Sequence, residues 1–177
     1  KERILTLLEE AQGFFRQALQ KNPVAQDYLK ARGYDKKQQD QFGLGYAPDS
    51  FHELTQHLKE KGYSEKEMLE AGVASQREVG DHHSYDRFRD RITFPIHDAQ
   101  NRLVAFGGRT LKQSAESAKY LNSPETNYYH KGQTLYCFHL AKQAIREKDQ
   151  ATVVEGYFDA LTAQMKVGLA RALKKFN

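Results

Sequence analysis

The sequence has little of several residue types, and each scarcity narrows what the chain can be. Cys137 is the one cysteine among 177 residues, which excludes a disulfide framework or a cysteine-based zinc site within the chain. A lone cysteine favours a reducing compartment, and we expect a cytoplasmic location. No apolar run reaches the length of about 18 residues that a membrane span needs, so we expect no membrane partner.

Initiator methionine and several site motifs are also missing. The first residue is lysine and not methionine, so we expect the chain to be a piece of a longer protein. The first residues have the pattern of an amphipathic helix and not that of a signal peptide. The seven histidines are scattered, with one tight pair at His82-His83 in a predicted turn, and they follow no zinc-binding pattern. The sequence contains no Walker P-loop, dinucleotide fingerprint or Gly-x-Ser-x-Gly.

The composition that is present is typical of a globular, mildly basic chain. Hydrophobic residues make up 39% and charged residues 28%, and the net charge is +4. Residues 84–131 hold eight lysines and arginines against five acidic residues, with aromatic residues among them. A basic middle with interleaved aromatics fits a phosphate-rich partner.

Apolar periodicity and capping residues predict a helical first part over residues 1–72. Apolar residues recur at helical spacing from Ile4 to Leu19, and capping residues stand before each later helix. The predicted helices span 2–21, Asn22-Pro23 to about Arg32, Asp35 to about Phe42, Ser50 to before Gly62, and Ser64 to Gly72, with a short strand or turn at 43–48.

The second part is predicted to mix strands and helices. Runs 91–97 and 103–106 predict a hairpin with a five-residue loop, and Pro95 favours an edge position or a bulge. A turn at Val79 to His83 precedes the hairpin, and a polar loop at 112–131 follows it. We then expect a helix from Leu135 to Lys148, a strand around Val153, and a helix from about Gly156 to Lys166 that Gly168 closes.

An acidic pair follows the apolar run Thr152–Val154. Glu155 comes directly after this predicted strand, and Asp159 lies four residues later at the start of a predicted helix. Both carboxylates are favoured in the ionised form there and project to one side. Two interpretations remain: the pair holds a divalent metal against phosphate oxygens, with one carboxylate able to act as a base, or Glu155 caps the helix and Asp159 is solvated.

Three arginines alternate within Tyr85-Asp-Arg-Phe-Arg-Asp-Arg-Ile92. Strand geometry places Arg87, Arg89 and Arg91 on one face, where a row of guanidinium groups is suited to following phosphates. The alternative is a surface edge strand whose aspartates pair with neighbours elsewhere.

Glycines and basic residues follow the hairpin. Gly107-Gly-Arg109 allows backbone amides to approach a ligand. Arg109, Lys119 and Lys131 then have the charge to surround a triphosphate. The alternative is that these basic residues are simply solvated.

Seven segments, in order along the chain, match the motifs of one family. They are Tyr28-Leu-Lys-Ala-Arg-Gly33, Phe42-Gly-Leu-Gly-Tyr-Ala-Pro48, Tyr85-Asp-Arg-Phe-Arg-Asp-Arg-Ile-Thr-Phe-Pro-Ile-His-Asp98, Gly107-Gly-Arg109, Lys119-Tyr-Leu-Asn-Ser-Pro-Glu-Thr126, His130-Lys-Gly132 and Glu155-Gly-Tyr-Phe-Asp159. Through them, roughly residues 2–169 resemble the RNA polymerase core of the DnaG-type bacterial replicative primases. The last segment resembles the opening motif of the Toprim module.

The resemblance implies template-directed synthesis of short RNA primers on single-stranded DNA from ribonucleoside triphosphates, with Mg²⁺ or Mn²⁺. It implies that Glu155 is the catalytic glutamate and that Asp159 supports the metal site. The implied nucleotide-binding residues are Arg109, Lys119, Tyr120, Asn122 and Lys131. The implied template-binding residues are Arg32, Arg87, Arg89 and Arg91. A replicative helicase is the implied partner, through a region that this chain lacks.

The resemblance to Toprim is incomplete. The module also uses an Asp-x-Asp, but this sequence contains none and has no acidic residue after Asp159. We therefore predict a partial metal site and a chain that is inactive alone. The expected fold is α+β, with an N-terminal subdomain at 1–148 (helical 1–72, β-rich 73–132, helix 133–148), the first β-α unit of a Toprim α/β domain at 149–170, and an unassigned tail at 171–177.

Two other functions remain as alternatives. The chain can be a non-catalytic module that binds single-stranded nucleic acid. It can also belong to another Toprim protein, such as a nuclease or a topoisomerase, although the stretch Tyr-Leu-Asn-Ser-Pro-Glu-Thr at 120–126 argues against that.

Overall fold

Helices and short strands alternate along the chain, which confirms the predicted mixture of helix and sheet. The computed structural model describes residues 2–77, 83–112, 118–166 and 172–175. The helices are α1 (Glu2–Lys21), α2 (Pro23–Ala31), α3 (Lys36–Gln41), α4 (Glu53–Glu60), α5 (Glu65–Glu70), α6 (Phe138–Lys148) and α7 (Tyr157–Lys166), with a 3₁₀ turn at Lys131–Gln133. The strands are β1 (Gly45–Ala47), β2 (Ala74–Gln76), β3 (Ser84–Asp86), β4 (Arg91–His97), β5 (Leu103–Thr110), β6 (Tyr120–Asn122), β7 (Leu135–Tyr136), β8 (Thr152–Val154) and β9 (Ala172–Lys175).

Local capping groups start three of the N-terminal helices where the sequence predicts them. The Asn22 side chain accepts a hydrogen bond from the Ala25 N–H at 2.9 Å, and proline takes the first position of α2. Asp35 and Ser64 begin α3 and α5, each with a complete capping box. These predictions are confirmed because each capping contact spans only a few residues.

The start of α4 differs from the prediction. The helix begins at Glu53, and Ser50 does not cap it, because its hydroxyl accepts only from the His52 N–H just before the helix. The Asp86 carboxylate, from β3, accepts the Leu54 and Thr55 N–H groups, both at 2.8 Å. The cap is therefore a tertiary contact.

The main sheet has four antiparallel strands in the order β1-β4-β5-β6. The β4–β5 hairpin and its five-residue loop are confirmed. β1 pairs with β4 only as far as Thr93, so Pro95 lies where β4 has no second neighbour, and the register shifts at Ile96/His97. An interior strand thus accepts proline beyond the reach of its shorter neighbour.

The arginine-rich segment is not one strand. β3 ends at Asp86, where it pairs with β2, and β4 begins at Arg91. Between them the backbone turns through Asp90, whose φ is +47°. The prediction that three alternating arginines share one face is therefore wrong.

The C-terminal region forms a separate three-stranded sheet in the order β7-β9-β8. The residues predicted to open a helix at Leu135 instead form β7, and α6 begins after Cys137, whose φ is +67°. β8 and β9 are parallel, so β8, α7 and β9 form a β-α-β unit. β9 lies within the tail that the sequence left unassigned. The helix stop at Gly168 and most of the turn at Val79 to His83, including His82, lie outside the described residues.

Two clusters of buried residues fill the interior. One joins α1, α4 and α5 to β5 through residues such as Leu8, Leu58 and Phe106. The other joins α2 and β4 to α7 through residues such as Leu29 and Phe158. Within the part of the chain that the structure describes, no helix has the length and apolar character that crossing a bilayer requires.

Candidate active site

The acidic pair stands on the connection between β8 and α7. Glu155 follows the last residue of β8, and Asp159 lies in the first turn of α7. Both residues are exposed, and neither carboxylate bonds to another described residue. The Asp159 carboxylate lies over Gly156, where a methyl group would overlap it. The glycine therefore gives the carboxylate room beside the positive end of α7.

The acidic pair fits one side of a metal site. Carboxylate oxygens are the hard donors that Mg²⁺ and Mn²⁺ prefer, and these two have no competing partner among the described residues. Within the described ranges, no group of three or more His, Cys, Asp or Glu side chains is arranged to hold an ion. Glu155 and Asp159 would therefore hold an ion together with further ligands.

Three of the predicted nucleotide-binding residues come together on β5 and β6. Arg109 is paired in register with Tyr120, and its Nη1 donates to the Tyr120 hydroxyl at 2.9 Å. Asn122 lies opposite Gly107 on the same strand pair. The Tyr157 ring at the start of α7 approaches the Tyr120 ring, with centroids 6.0 Å apart. Paired strands therefore place these polar groups beside the helix that carries the acidic pair.

The side chains of the two lysines predicted to bind nucleotide make fewer contacts with this strand pair than Arg109, Tyr120 and Asn122 do. Lys119 is exposed just before β6, and its carbonyl accepts the Thr110 N–H at 3.1 Å. Lys131 opens the 3₁₀ turn, and its N–H donates to the Glu125 carboxylate at 2.9 Å. The described contacts join neither lysine side chain to Arg109 or Asn122.

Arg32 also lies at this site. Its guanidinium carbon is 4.8 Å from the centroid of the Tyr28 ring and 4.9 Å from that of Phe158. Arg109 stacks on the same Tyr28 ring at 5.7 Å. Tyr28 thus joins the predicted template-binding Arg32 to the predicted nucleotide-binding Arg109. We call Tyr28, Arg32, Arg109, Tyr120 and Phe158 the Tyr28 cluster.

The sequence reasoning gave Tyr28 and Phe158 no role. A signal for Tyr28 was available, since it lies four residues before Arg32 on a predicted helix and therefore on the same face. Phe158 lies between Glu155 and Asp159 in the sequence, where an aromatic residue on a predicted helix indicates only a place in the core.

Arg87 and Arg91 support the backbone of the strands. Arg87 donates to the Asn122 carbonyl through Nε at 3.1 Å and through Nη2 at 2.9 Å. Arg91 is 8% exposed, and its Nη1 reaches the carbonyls of Gly108 and Lys119, both at 3.5 Å. Burial lowers the pKa of both guanidinium groups. Both guanidinium groups therefore bond backbone carbonyls, and they do not form a row with Arg89.

Arg89 lies instead on an aromatic surface. Its guanidinium carbon is 4.3 Å from the centroid of the Phe51 ring and 5.4 Å from that of Tyr85. Phe51 is 52% exposed and borders an open cavity together with Tyr85 and Arg77. We call Phe51, Tyr85 and Arg89 the Arg89 platform. Local sequence could not reveal it, because Phe51 precedes the other two by more than thirty residues.

The chain is similar to known DNA primases. A family model described as DNA primase catalytic core, N-terminal domain, matches residues 14–142. The DNA primase of Pseudomonas putida is 44% identical over 171 residues, which make up 94% of this chain and 25% of that protein. The DNA primase of Synechococcus elongatus is 44% identical over 165 residues, or 91% of this chain and 23% of that protein. The chain thus spans about a quarter of the length of these curated relatives.

Solved structures of primase domains have the same fold. The RNA polymerase domain of Mycobacterium tuberculosis primase DnaG, in complex with a double-stranded DNA oligomer with a 6-nucleotide overhang, gives a TM-score of 0.91 at 36% identity, over 100% of this chain and 55% of that one. A DNA primase domain from Pseudomonas aeruginosa gives 0.87 at 41% identity, over 98% and 54%. A DnaG primase catalytic domain bound to single-stranded DNA gives 0.83 at 35% identity, over 99% and 54%.

Proposed function

The chain belongs to the family of DNA primase catalytic core N-terminal domains, and we propose that it supplies the nucleotide-binding and template-binding part of an enzyme that makes short RNA primers on single-stranded DNA. The observation that carries this proposal is the packing of the strand pair β5–β6, which holds Arg109, against the start of α7. Arg109 and Tyr120 lie on the strands, and the acidic pair lies on the helix connection. The residues proposed to bind phosphate and those proposed to hold the metal therefore lie on neighbouring elements.

The proposed reaction is nucleotidyl transfer. The oxygen of a primer 3′-hydroxyl forms a bond to the α-phosphorus of a ribonucleoside triphosphate, the hydroxyl proton passes to water, and the bond from the α-phosphorus to the pyrophosphate leaving group breaks. A bound Mg²⁺ or Mn²⁺ would stabilise the charge that develops on the phosphate oxygens. Glu155 and Asp159 would hold the ion as part of a Toprim site. Arg109, Lys119 and Lys131 would neutralise the triphosphate, with Tyr120 and Asn122 beside it.

The proposed template path uses two separate surfaces. The Arg89 platform offers an exposed aromatic face and a cation, which is the combination that binds stacked bases and phosphates of a single strand. Arg32, exposed at the end of α2, would guide the template toward the acidic pair. Arg87 and Arg91 would act indirectly, by holding β6 and its neighbouring backbone. A replicative helicase as partner and a cytoplasmic location are further proposals that the family supports.

Binding of single-stranded DNA by the purified 177-residue chain tests the template part. We expect weak, salt-dependent binding that falls in Arg32→Ala and Arg89→Ala, with a salt slope lower by about 1 for each lost phosphate contact. The matched control is Arg102→Ala, which removes an arginine that is ion-paired with Asp98 in the β4–β5 loop. If the doubly substituted chain binds as well as the unchanged chain, the template assignment is wrong.

Primer synthesis tests the catalytic part. With Mg²⁺ or Mn²⁺, template and ribonucleotides, we expect no primers from the 177-residue chain, because its acidic pair provides only part of the ligand set. A chimaeric Pseudomonas putida primase that carries these residues in place of its own matching segment should be active. Glu155→Gln should lower its rate by about a hundredfold or more, since it removes a metal ligand. An inactive chimaera or an active Glu155→Gln chimaera would contradict the proposal.

The alternative, a binding module without catalysis, rests on the Arg89 platform, which needs no acidic pair to bind DNA. It predicts that the chimaera binds template but makes no primers.

A further inference from the structure

Tyr157 is a buried tyrosine with a specific polar contact to β6. Its side chain is 1% exposed, and its hydroxyl donates to Oδ1 of Asn122 at 2.6 Å. A short hydrogen bond from a buried hydroxyl restrains both groups. The contact links the acidic Glu155-Gly-Tyr-Phe-Asp159 segment to the strand proposed to bind nucleotide.

The surrounding core leaves the Tyr157 ring one orientation. It stacks on Phe94, with centroids 4.6 Å apart and planes 15° apart, and it meets the Tyr136 ring edge-on at 4.7 Å. Gly107 makes the approach possible, because a methyl group at that position would overlap the Tyr157 hydroxyl. The direction of the hydroxyl is therefore set by packing on three sides.

Asn122 is held from two directions. Its backbone carbonyl accepts the two hydrogen bonds from the Arg87 guanidinium, and its side-chain oxygen, Oδ1, accepts the hydrogen bond from the Tyr157 hydroxyl. An amide that accepts through Oδ1 must turn its Nδ2 group away from the tyrosine. Nδ2 donates to no described residue, and Asn122 is only half-buried. The amide thus presents two N–H donors beside Arg109 and Tyr120.

We propose that Tyr157 is a positioning residue that fixes the Asn122 amide, so that its N–H groups donate to the phosphate or ribose oxygens of the incoming ribonucleotide. The proposal rests on the proposed function of this site. The Tyr157 hydroxyl is the group that donates to Oδ1. Without that donor the amide can turn over and face an anionic ligand with its oxygen.

Steady-state kinetics of the active chimaeric primase test this inference. Tyr157→Phe keeps the ring packing but loses the donor. We expect its kcat/KM for ribonucleotides to fall by about fivefold to tenfold, the size of one well-placed hydrogen bond. The KM for the single-stranded DNA template should not change. Asn122→Asp should be worse than Tyr157→Phe, because a carboxylate repels the triphosphate.

Tyr34→Phe is the matched control for a merely structural role. The Tyr34 hydroxyl also bonds α7, to the Phe158 carbonyl at 3.0 Å and to Thr162 Oγ1 at 2.8 Å, but it does not touch β6. Tyr34→Phe should lower the melting temperature about as much as Tyr157→Phe does, and it should leave the kinetics with ribonucleotides unchanged. Equal kinetics for Tyr157→Phe and the unchanged chimaera, or equal losses in Tyr157→Phe and Tyr34→Phe, would overturn the inference. Either result leaves the proposed function standing as long as Glu155→Gln is inactive.

Discussion

Asp86 is a buried carboxylate whose role lies in another part of the chain. It is 2% exposed and accepts the Leu54 and Thr55 N–H groups at the start of α4. Burial raises the pKa of Asp86, although the two backbone hydrogen bonds oppose the shift. The carboxylate therefore satisfies two of the N–H groups that a helix leaves without partners at its start.

The cap can be tested by comparing two substitutions. Asp86→Ala should lower the free energy of unfolding by about 1–3 kcal/mol, because it leaves buried N–H groups without acceptors. Ser50→Ala, at the position that the sequence favoured as the cap, should change it by less than about 0.5 kcal/mol, as exposed substitutions usually do. Urea unfolding of the 177-residue chain measures both. A larger effect at Ser50 would show that the local cap matters more.

Local and non-local caps also explain which residues the sequence could predict. Asn22, Asp35 and Ser64 act within three residues of their own position, so pattern reasoning finds them. Asp86 and Phe51 act on partners more than thirty residues away, and no spacing rule reaches them. Within the candidate site, sequence motifs were enough to predict Glu155 and Arg109. The contacts that join the Tyr28 cluster could be recognised only once the fold was known.

At the scale of elements, β4 and α6 meet through two histidines. The rings of His97 and His139 lie with centroids 4.5 Å apart, and neither Nδ1 atom has a hydrogen-bond partner among the described residues. Burial lowers the pKa of both imidazoles. That of His139 falls to about 4, where His97 and Lys142 add to the effect of burial and Asp98 opposes it. The contact between β4 and α6 therefore favours the neutral form of both imidazole rings.

This contact predicts a loss of stability in acid. The pKa of His139 is lower in the folded chain than the value of about 6.5 in the unfolded chain, so the unfolded state binds more protons. Its contribution is complete above pH 6.5 and is lost as the pH falls toward 4. We expect about 1–2 kcal/mol, discounted for the partial exposure of the ring.

Unfolding measured at pH 7 and at pH 5 tests the prediction. His139→Gln should reduce the difference between the two, whereas His130→Gln should change it little, because the pair that His130 forms with Glu125 is exposed to solvent. If the slope stays the same in His139→Gln, another group causes the acid sensitivity.

Short strands were the elements that the sequence missed. β7 has two residues and pairs with β9, and β9 has four residues and pairs with both β7 and β8. Runs this short show no periodicity of their own. The sequence therefore predicts a helix that starts at Leu135, and it predicts no element for the tail. The longer β4 and β5 carry enough β-prone residues to be predicted, and their hairpin was found.

At the scale of the whole molecule, α7 belongs to the same core as the helices and strands before it. Tyr157, Phe158 and Leu161 are buried against residues from α2 and β4, including Leu29 and Phe94. The domain boundary after residue 148 remains a prediction. This packing means that the segment after it, although it carries the acidic pair, also helps to close the N-terminal core.

Two shortened chains test how far the core depends on α7. A chain that ends at residue 150 loses three large buried side chains of α7, and each such loss costs about 2–5 kcal/mol in a packed core. That sum is comparable with the total stability of a domain, about 5–15 kcal/mol, so we expect this chain to melt without cooperativity and to bind a hydrophobic dye. A chain that ends at residue 166 keeps α7 and should melt cooperatively. A cooperative, dye-free chain ending at residue 150 would mean that residues 1–148 fold independently, as the predicted boundary implies, and that α7 only docks on a finished surface.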